Sequence, residues 1–271
     1  FFNKFYYGFE RFNKRIHGDE LKISFNSPDA FEELIWKSNL NNYLNSGFFE
    51  KLDEKYKNYK LQNELADLIK KTLFVKKKNR YLSKNNYNIF RLKYLLNQYN
   101  DANFIILFRD PIETIISLSR VHKKFMLLSK DNKNFGEELE ILGHHEFGPR
   151  RKAFNISNNF EKTIYYWDNE LDHYGYLLQW IDLYNYVLSE YHDLIKERKI
   201  RLLKFPKNLN FDFCEKLIKY CDISDKDYLS KYFKTFVVNK AKKDNNFDFD
   251  KRDIDKAYHI YDNLTKLSNE N

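Results

Sequence analysis

Cysteine is nearly absent from this chain. Its 271 residues include two, Cys214 and Cys221, placed seven apart within a helical pattern. Two turns of helix separate such a pair by roughly 10 Å, which no disulfide spans. Both are therefore expected to be reduced core residues, as in a cytoplasmic protein. Glycine (7) and proline (4) are scarce, and no stretch reads as an interdomain linker, so 1–271 is expected to form a single domain. No apolar run approaches the length of a membrane span, no signal peptide is visible, and no repeat or low-complexity tract stands out. No Cys pair has zinc spacing, and the adjacent His144 and His145 do not easily face one ion from an extended segment, so no metal is expected. The first residue is Phe1, not Met, from which the expectation is that the natural N-terminus lies upstream.

What is present is globular in character: 42% hydrophobic and 32% charged residues. Phe, Tyr, Lys and Asn are used throughout, so a run such as Lys76-Lys77-Lys78 carries little information by itself. The net charge of +8 suits an anionic ligand, or simply a solvated Lys-rich surface. The basic residues are dispersed among acids and no nucleic-acid motif occurs, so nucleic acid is not an expected partner.

Helix-period apolar stripes alternate with short apolar runs, which predicts an α/β fold with a parallel sheet flanked by helices. Ser27-Pro28-Asp29 reads as a helix start before Phe31, Leu34 and Ile35. Leu61, Leu65, Leu68 and Ile69 stripe a second helix. Arg80–Lys84 is a short strand candidate, and Phe90, Leu92, Leu95, Leu96 and Tyr99 mark the next helix. Phe104–Phe108 is a continuous apolar run, the mark of an interior parallel strand. Asp110 caps a following helix, with Pro111 first and Glu113 where a capping-box acid stands. Weak periodicity from Leu127 to Thr163 predicts a long functional loop with partial helix. Tyr174 to Ile195 is helical, Ile200–Phe205 is a strand, and stripes at Cys214 to Cys221 and Ile254 to Leu264 complete the chain.

The sharpest element is Phe104 to Ser119. A buried strand ends in Arg109, a capped helix starts at once, and Ser117 lies about two turns in. Ligands of open α/β sheets bind at the carboxyl ends of strands, where helix N-termini favour anions. The planar fork of Arg109 can grip a phosphate with two hydrogen bonds, and a helical hydroxyl supplies another. The competing account is that Arg109 pairs with a structural acid while Ser117 faces solvent or a helix carbonyl.

Arg, eight residues, then Ser at this strand-to-helix junction resembles the 3′-phosphate-binding element of the sulfotransferases that use 3′-phosphoadenylyl sulfate (PAPS), in particular their bacterial branch. The surrounding segments resemble it too: 27–36, Arg80 to Asn88, Arg91-Leu92, 101–105, Phe108 to Pro111, 142–148 with Arg150 and Arg151, and Gly175-Tyr176 with Trp180 and Tyr184. The resemblance covers roughly residues 20 to 190. It implies a P-loop-NTPase-like sulfotransferase fold, PAPS or its product PAP as cofactor, no metal, and transfer of a sulfuryl group to a hydroxyl or amine of a carbohydrate, lipid or small-molecule acceptor. Two departures stand out. The family's upstream phosphosulfate loop is missing, as if lost with an N-terminal strand-loop-helix, and Phe205-Pro206-Lys207-Asn208-Leu209 replaces a Tyr-Glu-Asp-Leu-like segment. The alternative is therefore a remnant that holds PAP without turnover.

On the resemblance, Arg109 and Ser117 bind the 3′-phosphate, and Lys84 places a cation near the bridging oxygen. Sulfuryl transfer, like phosphoryl transfer, depends mainly on positioning and on stabilising charge at the leaving phosphate. His144, His145 and Glu146, unranked, are candidates for the base that activates the acceptor. Arg150 and Arg151 are candidates for an anionic acceptor or a nucleotide cover, or form an exposed basic pair. His122 is read as non-catalytic, because five residues from Ser117 puts it on another helix face.

Overall fold

The protein is described from a computed structural model, over residues 13–14, 22–23, 32–43, 51–132, 134–141, 143–157, 159–205, 211–223 and 247–270. In chain order these form β1 (Asn13–Lys14), β2 (Lys22–Ile23), α1 (Glu32–Asn39), α2 (Tyr59–Lys76), a 3-10 turn (Asn86–Phe90), α3 (Leu92–Gln98), β3 (Phe104–Phe108), α4 (Pro111–Asp131), α5 (Phe135–Ile141), α6 (Phe160–Asp168), α7 (Asp172–Glu190), α8 (His192–Lys196), β4 (Ile200–Lys204), α9 (Phe211–Tyr220) and α10 (Lys251–Glu270). The fold is α/β and mostly helical. Two compact units divide it, one of residues 1–100 and 121–155, the other of 101–120 and 156–271.

The second unit is organised by a parallel ladder. β3 pairs with β4 from Phe104 opposite Ile200 to Phe108 opposite Lys204, and Phe205 N–H extends it to the Phe108 carbonyl at 2.7 Å. β-branched and aromatic residues favour this pleated, half-buried surface. Ile106 and Phe108 turn one way along β3 and are buried, as are Ile200 and Leu202 along β4. α7 packs on α6 and on α10, and α10 also packs on β4. Gly175 sits where a Cβ would stand 2.4 Å from the Trp167 ring, so only glycine lets α7 approach α6 this closely.

The first unit centres on the buried N-terminal turn of α1. Trp36, Leu61, Leu65, Phe90 and Tyr94 form apolar surroundings, and a second cluster joins Val121, Phe125 and Leu139 with Phe135 and Phe147.

Two expectations change. Arg80–Lys84 forms no strand. Its alternate side chains Tyr81 and Ser83 donate to Glu32, and Leu82 between them is 90% exposed, so side-chain hydrogen bonds hold the segment where a ladder would. No βαβ unit therefore joins this segment to β3 among the described residues. β3 is not an interior strand among the described residues: β4 is its one partner there, and Leu107 is 51% exposed. The stretch from Leu127 to Thr163 is loop with partial helix, as expected: α4 continues to Asp131, α5 follows, and residues 143–157 are non-helical before α6. The expected helix start at Ser27-Pro28-Asp29 lies outside the described residues. No helix among the described residues is long and apolar enough to cross a membrane. Cys214 is buried and Cys221 half-buried, both as free thiols.

Candidate functional site

The carboxyl end of β3 is where the second unit opens. Asp110 follows the strand and caps α4, its carboxylate accepting from Glu113 N–H at 3.0 Å. Pro111 takes the first helical position, where its missing N–H costs nothing. The Glu113 carboxylate accepts from Arg109 Nε at 3.2 Å. That pair is partly exposed, 29% and 30% for the two side chains.

Arg109 and Ser117 line one open cleft of about 290 Å³, together with Thr114, Leu118, Tyr184 and Phe205. Thr114, Ser117 and Leu118 share a face of α4 by helical spacing. Tyr184 crosses from α7, donating to the Leu107 carbonyl at 3.0 Å. Burial raises its pKa above the ordinary phenol value, so it remains a neutral donor. Phe205 closes the floor from the end of β4.

The electrostatics are mixed. Arg109 supplies the cation, while Asp110 already occupies the helix N-terminus and Glu113 engages one of the five guanidinium donors. Nη1 and Nη2 make no hydrogen bond among the described residues and can still form a two-pronged contact with an oxyanion. The structural-acid account of Arg109 is thus half realised. A cleft of this size is at the lower end of small-molecule sites.

The other sequence candidates belong to the first unit. Lys84 is exposed in the Tyr81–Asn85 segment. His144 is half-buried. His145 is 1% exposed, between the rings of Tyr43 and Tyr87 with centroids 6.2 Å from each, and its backbone N–H donates to Tyr87 Oη. Burial, only partly opposed by Glu146, lowers its pKa to about 4. A base must reach the acceptor's proton, and a ring packed this way does not. Glu146 is half-buried and accepts from Asn86 Nδ2 at 2.8 Å. Arg150 is held by Glu137 and Glu140 at 2.7 and 2.8 Å, so its charge is already matched by carboxylates of α5. Arg151 is half-buried. His122 is buried, and its Nδ1 accepts from Gly148 N–H at 3.2 Å, holding the turn that carries His145 and Glu146.

Sequence reasoning missed the polar centre of this unit. Arg91 grips Glu33 with two hydrogen bonds of 3.0 and 2.7 Å and lies over Trp36 at 4.4 Å. Glu33 also accepts from Tyr43 Oη and Asn85 Nδ2. Burial pushes the Glu33 carboxyl up, but Arg91 and these donors outweigh it and hold the pKa below the usual range. Gly143, at φ +78, lies where a Cβ would stand 2.7 Å from Glu33 Cγ. The available signal was position: Glu32 and Glu33 precede Trp36 on one short helix, so an apolar stripe begins with acids. Thr114 was also legible, one turn before Ser117.

Among the described residues no three His, Cys, Asp or Glu side chains converge as metal ligands would. Comparison with family models, with curated proteins and with solved structures gave no match.

Proposed function

We propose that the chain is a PAPS-dependent sulfotransferase of P-loop-like fold, whose cleft at the end of β3 takes the 3′-phosphate end of PAPS or PAP. The sulfuryl group passes to a hydroxyl or amine of a carbohydrate, lipid or small-molecule acceptor. The observation that carries the reading is the convergence of Arg109 and Ser117 on one cleft, the pair that the sequence resemblance assigns to that phosphate. Arg109 offers Nη1 and Nη2 as a fork, Ser117 adds a hydroxyl, and Tyr184 and Phe205 bring aromatic surface on which a base can stack. Lys84 is the proposed cation for the leaving phosphate, and His144 or Glu146 the proposed base; His145 is withdrawn from that role by its burial.

Calorimetric titration with PAP tests the phosphate site. The protein is expected to bind PAP, and Arg109→Ala is expected to weaken it by about 2–4 kcal/mol, the cost of removing a charged partner from a phosphate. Equal affinity with and without Arg109 rejects the assignment.

One observation favours a second reading, PAP binding without turnover. Among the described residues the cleft lining holds Arg109, hydroxyls and apolar groups but no carboxylate, imidazole or ammonium, so no described acid or base stands within it. Transfer of labelled sulfate from PAPS to a panel of acceptors separates the two. Transfer that Lys84→Ala abolishes while PAP affinity persists supports the enzyme; PAP affinity with no transfer supports the binder.

A further inference from the structure

The segment from Lys70 to Lys84 combines two features along its sequence. It carries six lysines and Arg80, and no Asp or Glu. It also presents three of the most exposed large apolar side chains in the protein: Phe74 at 85%, Val75 at 71% and Leu82 at 90%. Lys70, Lys71, Phe74 and Val75 fall on one face of the last turns of α2. The helix then ends on Lys77, which takes the left-handed conformation (φ 51, ψ 48), its N–H closing on the carbonyls of Leu73 and Phe74. Lys78 N–H also returns to the Leu73 carbonyl at 3.0 Å. Glycine adopts that conformation without strain, so a lysine there retains charge at a cost in stability.

From this we infer that the end of α2 and the following segment form a docking surface for an anionic lipid membrane, lying on it and not crossing it. Exposed aliphatic and aromatic groups gain from an apolar medium, and the surrounding cations gain from anionic headgroups. A nucleic acid would satisfy the lysines but leave Val75 and Leu82 in water, since neither stacks on a base. A second copy of this segment would bring like charges together. The inference is independent of the cleft at Arg109.

Co-sedimentation of the whole chain with phosphatidylcholine vesicles containing roughly a third phosphatidylserine tests it. Binding is expected to require the anionic lipid and to fall as salt rises. Exchanging Phe74, Val75 and Leu82 together for serine, and separately Lys76, Lys77 and Lys78, should each lower partitioning by roughly tenfold or more. Far-UV circular dichroism and the thermal midpoint check that both variants remain folded. Phe74→Trp, in a background with the three native tryptophans (Trp36, Trp167, Trp180) replaced by phenylalanine, should shift its emission to the blue on vesicles and be quenched by brominated acyl chains. Three results overturn the proposal: no binding to the anionic vesicles; binding that the apolar triple variant retains in full, which marks a purely electrostatic surface; or self-association that the apolar triple variant abolishes, which marks a contact between copies.

Discussion

The two units use their polar side chains in opposite ways. In the second, backbone groups pair with one another along β3 and β4, and Arg109 and Ser117, at the strand end and on the next helix, face one open cleft. In the first, carboxylates of α1 bind the chain from 81 to 91: Glu32 takes Tyr81 and Ser83, and Glu33 takes Asn85 and Arg91. Polar residues engaged there are held in place, and Arg91 is a buried structural strut. The same residue type is left on a cleft or made a buried brace according to whether the backbone or the side chains satisfy the local hydrogen bonds.

The largest test breaks the brace. Glu33→Ala leaves the Arg91 charge buried and unpaired, at a cost of about 3–5 kcal/mol, read by urea unfolding. Trp36 belongs to the first unit and Trp167 and Trp180 to the second, so variants keeping one native tryptophan report each unit separately. The expected loss registers at Trp36; a change below about 1 kcal/mol would mean that the pair is no stronger than an ordinary surface bridge.

A second test uses pH. The folded-state pKa of His145, about 4, lies below its ordinary 6.5. The unfolded chain therefore binds the extra proton first. Stability from the neutral ring is fully present above about pH 6.5 and is lost as pH falls toward 4, by up to about 3 kcal/mol. His145→Phe should flatten the stability profile in that window; an unchanged slope would show that the ring is not desolvated. Asp182 of the second unit responds in the other direction. Burial raises its pKa despite hydrogen bonds from Ser157 and Asn159, so its contribution is most favourable at low pH and declines as pH rises through the folded value.

A smaller effect is expected from Arg109→Ala on folding, within about 1 kcal/mol, because its bridge to Glu113 is partly exposed. The same substitution that costs little stability is the one expected to cost PAP affinity, which separates a ligand contact from a brace. The smallest effect is at Glu113. Glu113→Gln frees the guanidinium and removes a competing anion, so PAP affinity should rise by about two- to fivefold, the scale of a weak surface pair. A fall in affinity would mean that Glu113 orients Arg109 and does not compete for it.

Periodicity and turn chemistry made much of the architecture legible from sequence. The apolar run at Phe104–Phe108, the Asp110-Pro111 helix start and the stripes of α2, α7 and α10 all depend on residues within one or two turns of each other. The Arg109–Ser117 element was legible for the same reason, since its parts lie eight residues apart on a single strand and helix. Arg80–Lys84 has a strand's composition, but a strand needs a partner, and Glu32, about fifty residues earlier, supplies other acceptors. His145 reads as a loop histidine beside Glu146 until Tyr43 and Tyr87 close around it. Tyr184 reaches the cleft only because α7 places it at the Leu107 carbonyl. Local chemistry therefore determined most of the helices, the Phe104–Phe108 strand and the strand-to-helix junction that carries Arg109. Tertiary structure alone decided which arginine is buried and which is offered, because desolvation depends on what the rest of the chain brings alongside.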